Sequence, residues 1–241
     1  MTAGEPPIAV RRPLMVHRWT DIAFVHWPYR VQAVQQLLPE GLEADTFDGV
    51  AWVGLIPFVL TVFPLVHAAP EVNLRTYVRG PDGGRGIYFF SLEIGRPLAA
   101  LVARAGYGIP YMWSEVRVER KPGALVYTSR RRRPGPPAAA RLNIEPGPSL
   151  GDDVSDLDLF LTARFTLYAG ARRLRTAQVE HPAWALRCAR ARVEEDLTTA
   201  AGLPKPVGEP HTLYSLGTRA LFGAPRSLCV ASSGTARAAT V

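Results

Sequence analysis

The sequence is poor in the residues that most often mark a metal site or a disulfide framework. It has two cysteines, Cys188 and Cys229, in 241 residues, and neither lies in a CxxC or CxxH context. Its five histidines show no HxH, HExxH or HxxxH spacing. Two cysteines are too few for a disulfide framework, and no local pair of histidines could begin a zinc site. No glycine-rich phosphate loop is visible either. We therefore predict no metal and no cofactor.

Lysine is almost missing, although the formal net charge is +7. Only Lys121 and Lys205 are lysines, so 26 of the 28 basic residues are arginines, which are scattered along the chain. One dense run, from Arg130 to Arg133, predicts a solvated loop or strand end, with an anionic partner as the alternative. No helix-turn-helix, zinc-finger or aromatic RNA-binding motif accompanies this run. Nucleic acid is therefore not an expected partner.

Long hydrophobic runs are also missing, because no stretch of about 18 uncharged apolar residues suggests a membrane-spanning helix. The nearest candidate, residues 50–66, contains Pro57 and Pro64 and is rich in β-branched and aromatic residues. That composition favours a pair of buried strands. The amino-terminal residues lack the apolar core of a signal peptide. We expect a cytoplasmic, bacterial protein with no membrane partner.

What the chain does contain is a series of short segments with strand patterning, separated by turn residues. WTDIAFVHW (19–27) predicts a strand, and residues 71–78 and 87–93 predict a hairpin joined by the GPDGG turn. SEVRVERKPGALVYTSR predicts a second hairpin with its turn at Pro122-Gly123. Fewer segments predict helices: 31–39, 96–106 with Gly106 as its stop, the start of DLDLFLTARFTLYA, and 193–202.

Many short strands and few helices favour a closed or nearly closed barrel, since closure removes exposed strand edges. A barrel of moderate size has room inside for one small ligand. We therefore predict a mainly β (α+β) fold, an antiparallel β-barrel with a few flanking helices and an internal pocket. No internal repeat or hinge divides the chain, so residues 1–241 form one expected domain, with an arm at 1–13 and an irregular tail at 222–241.

The stretch EVNLRTYV divides by parity into a polar and an apolar face. Glu71, Asn73, Arg75 and Tyr77 share one face of a strand, because successive side chains alternate across the pleat. The pattern alone leaves two readings open. These four residues form either an ordinary solvated face or the wall of a binding site.

Five phrases occur in order along residues 14–220: HRWTDIAFVHWPY, LLPEGLEADTFDGVAWVGLIPF, PEVNLRTYVRG, GIYFFSLEIGRPLAALVARAGYGIPY and VEHPAWAL. Together they resemble the YqjF-like uncharacterised family of the acetoacetate-decarboxylase-like superfamily. The resemblance implies a β-barrel with flanking helices that encloses a pocket, in a homo-oligomer. It does not bring a settled activity, because the family has none.

The superfamily's founding enzyme decarboxylates acetoacetate through a lysine Schiff base, and a second lysine lowers the pKa of the nucleophile. There the lysine pair follows an aromatic-Pro step. The matching stretch here, YGIPYMW, places Tyr111 after Pro110 and has no lysine within eight residues. Where decarboxylases carry a glutamate, this sequence has Asn73. Lys121 abuts a turn and Lys205 lies between prolines, so neither is expected to replace the missing amine.

The candidate catalytic residues are Arg75, Glu71 and Tyr111. Arg75 could clamp a carboxylate or an enolate, Glu71 could act as a general base, and Tyr111 could supply a phenolic proton. The predicted substrate-binding residues combine polar and aromatic side chains: Asn73, Arg75, Tyr77, Phe89, Tyr111, Trp113, His26 and His181. Two alternatives stay open: Arg75 and Glu71 are either functional or a structural ion pair, and the histidines either bond loop carbonyls or transfer protons.

Two functions fit these residues. The first is a small-molecule enzyme without Schiff-base chemistry, a cyclase, isomerase, hydratase or decarboxylase that acts on an oxygenated, anionic substrate. The second is a non-catalytic barrel that senses or sequesters such a metabolite. An enzyme needs an acid and a base with separated pKa values in its pocket, whereas a binding module needs only the clamp and apolar walls.

Overall fold

The computed structural model describes residues 4, 6, 9–62, 64, 66–170, 173–195 and 197–229. Parts of the predicted arm and of the predicted tail therefore lie outside the described residues. The strands are β1 Met15–Tyr29, β2 Glu43–Ala44, β3 Thr46–Phe47, β4 Val50–Val62, β5 Val66–Arg79, β6 Arg85–Ile94, β7 Tyr111–Lys121, β8 Ala124–Arg133, β9 Ala139–Ser149, β10 Thr166–Ala169, β11 Arg175–Glu180, β12 Arg187–Glu195, β13 His211–Phe222 and β14 Arg226–Ser227. The helices are α1 Val31–Gln35, α2 Pro97–Tyr107, α3 Asp156–Thr162 and a 3-10 turn at Thr199–Ala201.

The protein is mainly β, as predicted, and its strands belong to one large sheet. Their order is β14-β11-β10-β6-β7-β8-β9-β12-β13-β1-β4-β5-β2, and β3 lies off this path and pairs with β4. Because β5 also pairs with β6, the pairing runs from β6 through β13 and β1 and returns to β6. Most neighbours are antiparallel, but β6 pairs parallel with both β7 and β10. The sheet is therefore mixed, and the crossover through α2 is what a parallel β6–β7 pair requires.

Both predicted hairpins are confirmed. Strands β5 and β6 are antiparallel neighbours, with Glu71 opposite Ile94 and Arg79 opposite Arg85. Their turn is closed by the Gly80 amide, which donates to the Gly84 carbonyl at 2.9 Å. Strands β7 and β8 are joined through the predicted Pro-Gly turn.

The central strands β1, β4 and β5 are buried on both faces, and each face contributes to a separate core. One, termed the first core, contains Phe24, Ile56 and Tyr77 together with residues of α2, α3, β10 and β11. The second core contains Leu55 and Leu74 together with residues of β8 and β9. A strand covered on both sides has no face turned to solvent, which explains the continuous apolar run of β4.

The prediction of a helix at 193–202 is wrong for its first residues. Strand β12 continues to Glu195 and pairs with β9, with Val193 opposite Leu142. Only one short 3-10 turn at Thr199–Ala201 follows. Pairing in the sheet overrides the local helical preference of VEEDLTTAAG, because the pattern of a short segment is a weaker constraint than tertiary contact.

The helix predicted at 96–106 is confirmed with a corrected end. Helix α2 ends at Tyr107, and Gly108, with φ of 74°, is its left-handed capping residue. Gly106 therefore lies inside the helix. Across the described residues, no helix is both long and apolar enough to cross a membrane.

Candidate functional site

The polar face of β5 is buried in the first core. Glu71, Asn73, Arg75 and Tyr77 are exposed by 1%, 4%, 8% and 0%. The apolar residues on the other face of the strand, which include Val72 and Leu74, point into the second core. The face is therefore not an ordinary solvated surface.

The absence of a side chain at Gly54, in the neighbouring strand β4, lets His26 reach this face. Gly54 of β4 stands between His26 of β1 and Arg75 of β5 in the sheet register. A Cβ at Gly54 would lie 2.5 Å from the His26 imidazole, so only glycine leaves room for the ring in its present position. The ring reaches across this gap, and its Nε2 is 2.6 Å from the Tyr77 hydroxyl oxygen.

The hydrogen bonds around Tyr77 define its partners. The Tyr77 hydroxyl donates to the Leu161 carbonyl at 2.6 Å, so it accepts from His26, whose Nε2 carries the proton. Arg75 Nη2 also donates to the Leu161 carbonyl, at 3.1 Å. Burial, followed by the charge of Arg75, lowers the pKa of His26 well below its usual value, so the imidazole is neutral.

The carboxyl end of α3 provides the acceptors for these donors. The last carbonyls of a helix have no partner inside the helix and carry partial negative charge. Arg164 Nε donates to the Phe160 carbonyl at 2.7 Å, and Trp184 Nε1 donates to the Thr162 carbonyl at 3.2 Å. With the bonds to Leu161, three successive carbonyls are satisfied by side chains from other elements. This arrangement explains how guanidinium groups are tolerated in the first core.

The second end of the polar face holds a pair of neutral hydrogen-bonding groups. The Tyr111 hydroxyl donates to Glu71 Oε2 at 3.2 Å. Burial raises the pKa of Glu71 to about 8, the hydrogen bond from Tyr111 lowers it in part, and the charge of Glu93 raises it further. Burial and then Glu71 raise the pKa of Tyr111 well above its usual value. Near neutral pH the glutamic acid therefore keeps its proton.

The ion pair between Arg75 and Glu71, which the sequence left open, is not among the ion pairs of the described residues. Arg75 bonds the Leu161 carbonyl, and Glu71 bonds Tyr111. The two residues are four positions apart on β5, which is about 13 Å of extended strand. Only their side chains could converge on one small ligand.

The other predicted binding residues divide between the first core and the surface. Phe89 is 8% exposed and is the register partner of Arg75, so it forms an apolar wall. Trp113 is 45% exposed and borders a surface cleft of about 340 Å³, so the structure does not bring it to the group. His181 Nδ1 is 2.8 Å from the Pro182 carbonyl, and its ring packs on Trp184. That contact matches the loop-carbonyl reading of His181.

Two residues of this region were missed from the sequence. Arg164 follows α3 directly, where no periodic pattern marks it. His211 begins β13 opposite His26, and its Nε2 is 2.7 Å from Asp158 Oδ1. His211 lies after a proline-rich stretch, and no motif connects it with Asp158.

Several buried polar atoms of the first core have no hydrogen-bond partner among the described residues. They include His26 Nδ1, Trp52 Nε1, Asn73 Oδ1, Arg75 Nε and Arg164 Nη2. Leaving a buried donor or acceptor unpaired costs about 1–3 kcal/mol for each group. A ligand with oxygen atoms and a donor could satisfy them.

A second buried polar group lies on the opposite face of the sheet. Glu93 of β6 is in register with Val72, and so it faces the second core. Arg131 binds both carboxylate oxygens of Glu93, and the Ser114 hydroxyl donates to Oε2 at 2.5 Å. The side chains of Arg131 and Glu93 are 4% and 0% exposed. All contacts expected of a charged carboxylate are present.

Neither lysine lies near these groups. The Lys121 side chain is 54% exposed and lies 3.9 Å from Glu119, and Lys205 is exposed as well. The position that follows Pro110 is occupied by Tyr111, which bonds Glu71. A Schiff-base nucleophile has no candidate within the first core.

Comparison with known proteins gives the chain its relatives. The DUF2071 family model, described as an uncharacterized conserved protein, matches residues 16–219. The chain is 34% identical over 219 residues to the uncharacterized protein YqjF of Bacillus subtilis (strain 168), which covers 87% of this chain and 90% of the relative.

Solved structures show the fold. The chain is similar to the enduracididine biosynthesis enzyme MppR complexed with pyruvate, with a TM-score of 0.65, 13% identity and coverage of 93% and 94% of the two chains. It is also similar to acetoacetate decarboxylase from Legionella pneumophila, with a TM-score of 0.63, 12% identity and coverage of 95% and 92%. The chain therefore belongs to the DUF2071 family, whose YqjF relative it resembles over most of its length, and its structural neighbours are acetoacetate decarboxylase-like proteins.

Proposed function

We propose that the protein is a small-molecule enzyme that binds an oxygenated, anionic substrate against the polar face of β5. In this proposal the closed circuit of strands acts as a barrel, and the first core opens an internal pocket along Asn73 and Arg75. The observation that carries the proposal is the set of buried polar atoms of the first core that lack a partner. Such atoms are rare in native proteins and are concentrated at sites where a ligand or a water completes the bonding.

The chemistry follows from the charge states of the group. Arg75 offers its unpaired Nε to an anionic oxygen, and Asn73 offers an acceptor that is still unused. Glu71, with a pKa of about 8, retains a proton that it can donate to a developing enolate or alkoxide. This set suits a lyase, isomerase, cyclase or hydratase that moves a proton, and it needs no covalent intermediate on lysine.

The relatives support the substrate class but do not name the substrate. MppR is a biosynthesis enzyme seen with pyruvate, a small oxygenated anion. Fold similarity alone does not transfer an activity, so the substrate must be found by experiment.

Non-catalytic binding is the alternative function, and one observation favours it. Arg75 Nη2 and the Tyr77 hydroxyl already donate to the Leu161 carbonyl. Fewer of their donors are therefore free for a reacting substrate than in an open active site. A protein that senses or sequesters the same metabolite needs no proton donor.

One experiment separates the possibilities. Protein purified without denaturation would be analysed by mass spectrometry for bound metabolites, and each candidate, starting with pyruvate and acetoacetate, would be titrated calorimetrically and followed by NMR for turnover. Arg75→Met should weaken binding of the anionic ligand by about 2–5 kcal/mol, because one partner of a buried charge contact is lost. Arg75→Lys should restore part of the affinity, since an ammonium lacks the planar fork. Arg117→Met, at an exposed arginine, is the control.

Each result decides something. Turnover that is lost in Arg75→Met and Glu71→Gln supports the enzyme. Tight binding without turnover supports the alternative. An Arg75→Met variant that binds the ligand as tightly as the parent refutes both. A covalent adduct at Lys121 or Lys205 after borohydride reduction with a β-keto acid would restore Schiff-base chemistry.

A further inference from the structure

Three arginines converge on one buried carboxylate at the outer end of the first core. Asp45, between β2 and β3, accepts from Arg79 Nε at 3.1 Å through Oδ1. Its Oδ2 accepts from Arg85 Nε at 2.7 Å and from Arg164 Nη1 at 3.0 Å. The Asp45 side chain is 0% exposed. We call these four residues the Asp45 arginine cluster.

The cluster carries more positive charge than its carboxylate neutralises. Arg79 and Arg85 are direct register partners across the β5–β6 hairpin, where like charges are destabilising unless something offsets them. The neighbouring carboxylates are Glu43, in register with Arg79, and Asp82, which accepts from the Tyr168 hydroxyl. Within the described residues, neither of them forms an ion pair with these arginines. Asp45 alone contacts three guanidinium groups.

The arginines still have donors to offer. Arg79 and Arg85 each bond Asp45 through Nε, and no hydrogen bond of the described residues engages their terminal nitrogens. Their side chains are 54% and 47% exposed, so these nitrogens can be reached from solvent. A guanidinium presents two parallel donors at such an edge, which matches a carboxylate or a phosphate group.

Arg164 adds a donor from the buried side. Its side chain is 4% exposed, and its Nη2 has no hydrogen-bond partner among the described residues. Burial, and then the charge of Arg85, lowers the pKa of Arg164 to about 10. The centroid of the Phe160 ring lies 4.2 Å from the Arg164 guanidinium carbon and 5.4 Å from that of Arg85, so both side chains contact one aromatic ring.

We propose that the Asp45 arginine cluster is an oxyanion-binding site that takes a phosphate or carboxylate group, in addition to the candidate site on the polar face of β5. The bound group would meet the terminal nitrogens of Arg79 and Arg85 and offset the excess charge. The proposal does not rest on the proposed function, because Arg79 and Arg85 take no part in it.

The test is calorimetric titration with inorganic phosphate at constant ionic strength. The double variant Arg79→Gln/Arg85→Gln should weaken binding at least tenfold, because two charged forks are removed. The matched control is Arg117→Gln/Arg132→Gln, since these exposed arginines also share one carboxylate, that of Glu115. The control should change the Kd less than twofold. Thermal unfolding of each variant would verify that the fold is kept.

A second variant gives the opposite sign. Glu43→Gln removes a negative charge beside Arg79 and should tighten phosphate binding severalfold. No binding by the parent, equal binding by the double variant, or weaker binding by Glu43→Gln would each overturn the proposal.

Two further arms identify the source of the anion. A small phosphate monoester and acetate would be titrated into the parent and into Arg75→Met. If the monoester binds more tightly than phosphate and loses that advantage in Arg75→Met, the anion is part of a larger ligand that also reaches Arg75. If Arg75→Met changes neither, the site takes a free anion. Failure of the proposed function would appear in the Arg75→Met titrations with pyruvate and would leave phosphate binding intact.

Discussion

Glu71 and Glu93 are both buried glutamates on neighbouring strands, one register position apart, but they face opposite cores. Glu93 accepts hydrogen bonds from Nε and Nη2 of Arg131 and from the Ser114 hydroxyl. These donors offset the cost of burying its charge. Among the described residues, Glu71 receives a side-chain hydrogen bond only from the Tyr111 hydroxyl, and burial raises its pKa to about 8. The same side chain is therefore stabilised by an ion pair in one core and by keeping its proton in the other.

The two glutamates mark a functional and a structural side of the sheet. On the second-core side, Glu93, Arg131 and Ser114 bond one another fully, although the Ser91 and Ser129 hydroxyls on that side have no partner among the described residues. The first core leaves donors and acceptors of Asn73 and Arg75 unpaired beside a protonated acid. Regions that break the rule of full hydrogen bonding are where function is expected.

The largest expected effect comes from breaking the complete group. Arg131→Met leaves Glu93 buried without its cation, which should lower the free energy of unfolding by about 3–5 kcal/mol. Urea denaturation at neutral pH measures this loss. Arg132→Met is the control, because Arg132 is 52% exposed on the same strand and should change stability by at most about 0.5 kcal/mol. Equal effects of the two substitutions would show that the Glu93 group contributes nothing special.

The next effect should appear in the pH dependence of the incomplete group. The pKa of Glu71 is raised on folding, so its favourable contribution is present below the unfolded pKa near 4.5 and is lost as pH rises toward 8. Glu71→Gln removes this dependence. Relative to the parent, the variant should gain roughly 3–4 kcal/mol of stability between pH 5 and pH 8, at about 1.4 kcal/mol for each pKa unit.

Chemical denaturation of both proteins at several pH values measures the difference. A gap between parent and variant that stays constant from pH 5 to pH 8 would contradict the raised pKa. It would also remove the contrast between Glu71 and Glu93.

A smaller effect should come from closing the gap beside Arg75. In Gly54→Ala the new Cβ would collide with the His26 ring and break its hydrogen bond to Tyr77, at a cost of about 1–3 kcal/mol. Loss of the His26 Nε2 proton signal from its shifted position in NMR spectra would show the break. Gly106→Ala is the control, because nothing lies near an added Cβ there and alanine should stabilise the helix by about 1 kcal/mol.

The smallest effect should come from removing the hydrogen bond between Tyr111 and Glu71. Tyr111→Phe removes the one bond that lowers the pKa of Glu71, so this pKa should rise above its value in the parent. The loss of stability at pH 6 should be about 1 kcal/mol or less, because a neutral hydrogen bond is lost. Carbon-13 NMR of labelled glutamate measures the pKa. Tyr107→Phe, whose hydroxyl bonds the Gly223 carbonyl, should leave it unchanged.

The sequence predicted local features well and tertiary choices poorly. Alternation in EVNLRTYV predicted the strand and its polar face, because that pattern is a property of the pleat. It could not predict that the face is buried, since this depends on α3 covering it. No strand was predicted at β13, because its pairing partner β1 lies far away in the chain.

The candidate site shows the same limit. Glu71, Asn73, Arg75 and Tyr77 were predicted together because one strand carries them. Arg164 and His211 come from segments without periodicity, and no local signal connects them with β5. Trp113 was expected at the pocket because it is aromatic and close to Tyr111, but it is 45% exposed.

The closed circuit of strands also sets an order of events during synthesis. Strand β1 pairs on one edge with β4, and its other edge is covered by β13, with Met15 opposite Phe222. That second edge stays open on the ribosome until the chain has emerged as far as Phe222. An uncovered edge of this length can pair with other chains, and contacts between such distant segments form slowly. The exposure of this edge of β1 therefore ends only when β13 pairs with it.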